Sequence, residues 1–263
     1  IGQIITDSFS ILFRNNAKLL LIVFIIIFPV WILSAYYQLS LTKVIITDNP
    51  PSSQVLFYTF MFYLTFITSK LLLILIVNFY IKQLKDNNQE PVLYNDIWNN
   101  IKSSFFPMFG VFFGIMTIIL LSFLLLIIPG IIALVIFSIV FPVIIFEKKS
   151  FAEAGMRCIE LIKDNWFSTF FLIIAVIVLS MLLSYLLAIP FFLNKGVSYH
   201  GVLYQIPLWG SLGERWDMAI EIFFYSIINI TSIISETAIV LQYFNLKEKH
   251  KKKTIVINHK GDI

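Results

Sequence analysis

The chain has 263 residues, of which 59% are apolar, 16% aromatic and only 13% charged, with a formal net charge of +4. Its mean hydropathy is +0.90, whereas soluble domains carry about 45–50% apolar and about 25% charged residues. The composition indicates an integral membrane protein and excludes collagen-like, disordered and low-complexity classes. One cysteine, Cys158, excludes a disulfide framework, and three scattered histidines offer little for a metal, so no cofactor or metal site is expected.

A hydrocarbon layer about 30 Å thick is crossed by about 20 apolar residues in a helix. In chain order, six stretches meet that requirement: 17–37, 55–81, 105–128, 131–146, 166–189 and 219–244. The predicted fold is therefore all-α, with six transmembrane helices in residues 1–246 and a basic cytoplasmic tail at 247–263. The third and fourth spans meet at Pro129-Gly130, which predicts a tight helical hairpin turning at or just inside one membrane face.

Three amphipathic segments precede the odd-numbered spans. In the first, Ile1, Ile4, Ile5, Phe9, Leu12 and Phe13 oppose Gln3, Asp7, Ser10 and Arg14. In the second, Tyr94, Ile97, Trp98, Ile101 and Phe105 recur at helical spacing, and in the third Phe151, Ala154, Cys158, Leu161 and Ile162 do so. Ser150 with Glu153 reads as the capping box that starts the third. The chain thus reads as three units, each an interfacial helix followed by a hairpin of spans, with apolar faces in the headgroup layer. Arg14, Lys102, Arg157 and Lys163 are the candidate contacts to lipid headgroups, although a positive-inside bias alone accounts for their presence. The same bias places both termini in the cytoplasm, because the loops on the other side carry only Lys43, Lys195 and Arg215.

Lys70 falls inside the second span, 11 residues before Ile81 and so about 16 Å from that helix end. A lysine at that depth costs about 2.5–3.5 kcal/mol on insertion scales and calls for an anionic neighbour. Glu236 in the sixth span is the expected partner, and Tyr225, Asn229, Ser232 and Glu236 share one helical face. Lys70, Asn229, Ser232 and Glu236 form the candidate intramembrane polar cluster, read either as a lock between spans or as a substrate or proton site. Catalysis is not expected: His200, His250 and His259 lie outside the spans, and no HExxH or GxSxG motif occurs.

Between Pro129 and Trp166 the run Pro129-Gly130-Ile131, Phe141-Pro142-Val143, Glu147, Ser150, Glu153-Ala154, Arg157, Glu160-Leu161 and Asn165-Trp166 carries a resemblance. Gly2, Asp7-Ser8-Phe9 and Pro29 near the start, and Tyr243-Phe244-Asn245-Leu246-Lys247 near the end, extend it. The pattern resembles the membrane-domain family of glycerophosphoryl diester phosphodiesterases and related six-helix bacterial inner-membrane proteins. The resemblance implies a fold and a location in the bacterial cytoplasmic membrane. It implies no activity, since catalysis in such proteins resides in a separate soluble domain. The expected function is a non-catalytic multi-pass module that organises lipid or serves as an accessory or scaffold subunit. Its partners would be membrane phospholipid, a membrane protein or a second copy of the chain, and not nucleic acid. The alternative is a small-molecule or lipid transporter with a polar site around Lys70, Asn229 and Glu236.

Overall fold

Long apolar runs form helices here because a backbone in hydrocarbon must satisfy its own hydrogen bonds. The computed structural model describes residues 2–13, 17–46, 51–86, 94–195, 197–199, 202–204, 222–223 and 229–261. In chain order the helices are α1 (Gly2–Phe13), α2 (Ala17–Ile46), α3 (Ser52–Asp86), α4 (Tyr94–Leu125), α5 (Ile127–Phe137), α6 (Val140–Glu147), α7 (Phe151–Ile162) and α8 (Trp166–Lys195). Strands β1 (Val197–Tyr199) and β2 (Val202–Tyr204) follow, then a 3-10 turn (Asn229–Thr231) and α9 (Ser232–Gly261). Among the described residues, five helical segments are long and apolar enough to cross a membrane: Lys18–Ile45, Ser52–Asp86, Tyr94–Leu125, Ile127–Glu147 and Trp166–Leu187. The chain is an α-helical membrane protein. Most of the first half of the expected span at 219–244 lies outside the described residues.

Four details differ from the sequence expectation, three along α4 to α6 and one in α7. The second amphipathic segment is not a separate surface helix, because α4 runs unbroken from Tyr94 to Leu125. Ser103, expected to help end it, turns its hydroxyl back onto Asn100 O at 3.1 Å, so the serine decorates the helix instead of capping it.

The α4–α5 corner falls three residues before Pro129. Leu126 is the extended residue, with φ −164° and ψ 155°, and α5 starts at Ile127. Proline is tolerated in a first helical turn, where its missing N–H would have no intrahelical partner. Hydrogen bonds from Leu126 N to Ser122 O (3.2 Å) and from Gly130 N to Leu126 O (3.3 Å) carry backbone pairing through the corner. Gly130 is required by close approach: a Cβ there would run into the Phe123 ring.

The fourth span is two helices, α5 and α6, offset at Ser138-Ile139, where the Ser138 hydroxyl bonds to Val135 O at 2.7 Å. Together they cover Ile127–Glu147, or 21 residues, about 31 Å of rise and enough to cross.

The chain divides into two units. One holds Ile1–Ile22, Leu71–Ile177 and Ile234–Ile263, the other Val23–Lys70 and Val178–Ile233. In the first, the second half of α3 is buried all round, with Leu71, Leu73, Leu75, Ile76, Val77 and Tyr80 sealed from solvent. Helix α1 rests Ile4 and Ile5 against Leu172, Val176 and Ala238 of α8 and α9. The apolar face read in α7 is buried at Ala154, Cys158, Leu161 and Ile162, with Phe137 of α5 over Gly155 and Phe151 against Gly114 of α4. That face is therefore packed on protein, and not set in the headgroup layer as its amphipathic pattern suggests. In the second unit, Ile27, Trp31 and Ala35 of α2 are buried at four-residue spacing. Phe28 meets Phe223 edge-on at 6.5 Å, and β1 pairs antiparallel with β2 in the register Val197↔Tyr204, Ser198↔Leu203 and Tyr199↔Val202.

Candidate functional site

The polar side chains of the first unit gather where α6, α7 and α9 meet. Helix α6 ends at Glu147 with Lys148 in the left-handed region (φ 53°), which reverses the chain toward Ser150. There the capping box starts α7: Glu153 Oε2 accepts from the Ser150 N–H at 2.9 Å and from its hydroxyl at 2.8 Å. These bonds hold the Glu153 carboxyl below its usual range, the Ser150 hydroxyl being the largest influence.

Nearly two turns into α7, Arg157 lies back over Glu147, with Nε 3.2 Å from Oε2, while its Nη1 reaches Glu160 Oε2 at 2.6 Å. Glu147 Oε1 accepts from the Tyr243 hydroxyl at 3.1 Å and is paired with Lys247 Nζ at 3.3 Å. One carboxylate thus ties α6, α7 and α9 together. Phe146 and Tyr243 stack beside it with centroids 5.7 Å apart.

Helix α9 continues without a break past Lys247 and runs along α7. His250 Nε2 lies 3.1 Å from Glu160 Oε1, Lys249 Nζ reaches Asn165 Oδ1 at 3.4 Å, and Lys253 Nζ pairs with Asp164 Oδ2 at 2.7 Å. The hydrogen bond from Arg157 holds Glu160 below the usual carboxylate range, and that from Lys253 does the same for Asp164. Beneath them the Cys158 thiol is fully buried, and burial pushes its pKa up to about 12.

The predicted headgroup contacts have different fates. Arg157 is engaged in its two ion pairs. Lys102 lies over the Trp98 ring, 5.1 Å from its centroid. Arg14 lies outside the described residues. Lys163 makes no hydrogen bond or ion pair through its ammonium among the described residues; it caps the end of α7 and lines an open cleft.

That cleft, about 510 Å³, lies between α5, the end of α7 and the start of α8. Ile128, Ile132 and Ile136 form one wall and Trp166 and Phe170 the other, and Lys163 is the only charged residue lining it.

In the second unit, the Lys70 ammonium donates to the Ser232 hydroxyl at 2.8 Å and lies 5.5 Å from the centroid of the Phe66 ring. Nearby, the Ser184 and Thr231 hydroxyls are 2.8 Å apart. Asn229 opens the 3-10 turn before α9, and Glu236 follows Ser232 by one helical turn. Sequence reading picks out Lys70 and Ser232, which meet, but passes over the Glu147 centre. Glu147, Arg157, Glu160 and Tyr243 all lie in the stretches 129–166 and 243–247 that the sequence singles out. No family model, curated protein or solved structure matches the chain.

Proposed function

We propose that this chain is a non-catalytic multi-pass module of the bacterial cytoplasmic membrane that organises lipid around its helices. In this reading it crosses the bilayer six times and keeps both termini in the cytoplasm. The observation that carries it is the use made of Glu147: a single carboxylate engages Arg157, Tyr243 and Lys247 at once. Its charge is spent on bracing three helices, and its lone pairs are occupied by donors instead of being offered to a reacting group. Outside this brace the helices present large apolar side chains, among them Phe106, Leu125 and Phe167. The resemblance to the membrane domains of glycerophosphoryl diester phosphodiesterases supports the same reading.

The test is purification of the full chain in a gentle detergent, followed by mass spectrometry of the lipids and proteins retained. Phospholipid in stoichiometric amount, without a second protein, is the expected result. A stoichiometric membrane-protein companion with no retained lipid would replace this reading with that of an accessory subunit.

One observation favours a second reading, transport. An ammonium is held within a span by a hydroxyl, Lys70 on Ser232 at 2.8 Å, and ionisable groups at such depth commonly mark translocation paths. Flux of a solute into proteoliposomes that disappears in Lys70→Ala would support it, and equal flux in both proteins would remove it.

A further inference from the structure

We propose that the cleft between α5 and α8 is a binding site for one phospholipid with a net negative headgroup. An acyl chain would lie along α5, with the phosphate on Lys163. The inference rests on the lipid-organising reading only in taking lipid as what the module gathers.

Three features of the cleft point to this occupant. The first is its lining, which apart from Lys163 is isoleucine, tryptophan and phenylalanine. An open apolar cleft in a membrane protein is wetted by hydrocarbon and not by water. From Ile136, next to the Phe137 that covers Gly155 of α7, to Ile128 near the α4–α5 corner is eight residues. That is about 12 Å of helix and suits a stretch of extended acyl chain. The second is charge. Lys163 and Trp166 flank the short turn between α7 and α8, where one membrane-spanning segment has ended at Glu147 and the next begins at Trp166. A lysine and a tryptophan at that level sit among headgroups. The neighbouring cations Arg157, Lys247 and Lys253 are in ion pairs, whereas the Lys163 ammonium has none among the described residues. The third is a donor without an acceptor: the buried Trp166 indole N–H has no partner among the described residues. With a small turn of the ring, an ester carbonyl of the same lipid would accept from it and relieve an unmade hydrogen bond.

The full chain, in detergent and freed of endogenous lipid, is titrated with dioleoyl-phosphatidylglycerol or dioleoyl-phosphatidylcholine, and the lipid-bound fraction is read by native mass spectrometry. One phosphatidylglycerol is expected to bind, more tightly than phosphatidylcholine. Lys163→Gln should weaken phosphatidylglycerol by about fivefold, the equivalent of about 1 kcal/mol for one lysine at a lipid surface. It should weaken phosphatidylcholine less, because the choline cation offsets the charge of its phosphate, and Lys163→Arg should restore the preference. Ile132→Trp fills the cleft at a position that is 40% exposed and outside the core, and should weaken both lipids. If it fails to fold, the Lys163 variants decide alone. Equal affinity for the two lipids, or a Lys163→Gln protein that binds like the parent, overturns the site. Displacement of the lipid by inorganic phosphate would show an anion pocket without a chain site, and also overturns it. If lipid still co-purifies with Lys163→Gln and Ile132→Trp at parental levels, the cleft is wrong and the lipid-organising reading stands. If no lipid co-purifies from membranes but added phosphatidylglycerol binds through Lys163, the site stands and that reading fails.

Discussion

Glu147→Gln is the sharpest probe of the brace. The side chain of Glu147 is 10% exposed, and its loss of charge leaves Arg157 and Lys247 facing a neutral amide. Breaking one partner out of a buried ion pair costs about 3–5 kcal/mol, and a hydrogen bond to a charged group contributes about 1.5–3 kcal/mol. The Glu147 site falls below the first range for two reasons visible in its geometry: Arg157 keeps Glu160 at 2.6 Å, and the side chain of Lys247 is 43% exposed and can turn to water. The expected cost is about 2–3 kcal/mol, read from reversible unfolding in mixed micelles of a mild detergent and dodecyl sulfate. Tyr243→Phe removes the hydroxyl that donates to Glu147 and accepts from Lys247, and should cost about 1–3 kcal/mol. Because Glu147 and Arg157 touch, the double variant Glu147→Gln/Arg157→Gln should lose less than the sum of the single losses, by about 1–2 kcal/mol. A Glu147→Gln protein within about 0.5 kcal/mol of the parent, the range of ordinary surface changes, would refute the brace.

Gly130→Ala should destabilise by about 1–3 kcal/mol, the usual range for overpacking, because the new methyl runs into the Phe123 ring. Phe123→Ala in the same chain should recover most of that loss, and the absence of recovery in the unfolding midpoint would show that the ring is not the obstacle. The folded-state pKa values of Asp164 and Glu160 lie below their ordinary 3.8 and 4.5, so their pairing with α9 is in force above those values and is lost as pH falls through the depressed ones. The hydrogen-exchange protection factors along 247–253, taken against the intrinsic rate at each pH, should therefore stay high at about pH 6 and fall only in acid below about pH 4; equal protection factors in neutral and strongly acidic buffer would contradict the pairing. The Cys158 thiol, buried and raised to about 12, should resist maleimide at neutral pH in the folded protein and react once the chain is unfolded in dodecyl sulfate. Rapid labelling of the parent chain would mean that α7 is not seated.

The spans are legible because about twenty consecutive apolar residues admit few other structures. The sequence pattern puts the corner three residues late because Pro129-Gly130 serves equally well as a turn or as a first helical turn, and only the ring of Phe123 makes the second choice. Ser103-Ser104 divides α4 on paper because serine is a plausible cap by residue type, whereas the Ser103 hydroxyl in fact bonds to its own helix. The capping box at Ser150 is legible from a three-residue spacing. The Glu147–Tyr243 bond, 96 residues apart in sequence, is not, since no local pattern reports which distant donor meets a carboxylate. Lys70 announces itself by the cost of its depth, and its hydroxyl partner Ser232 lies on the face that reads as polar. Strands β1 and β2 hide within an aromatic stretch of sequence, although Val197/Tyr199 and Val202/Tyr204 alternate on either side of His200-Gly201 as a hairpin sequence would.

The α4–α5 corner bears on how the protein is made. From Ile118 to Ile136 the chain carries one hydroxyl, Ser122, and nothing ionisable, and the hydroxyl is bonded to Ile118 O at 2.7 Å. The insertion machinery therefore has no hydrophilic loop to haul through the lipid when this pair of helices enters. The two can slip sideways out of a translocon as one finished hairpin, without waiting for a downstream segment to pull them across.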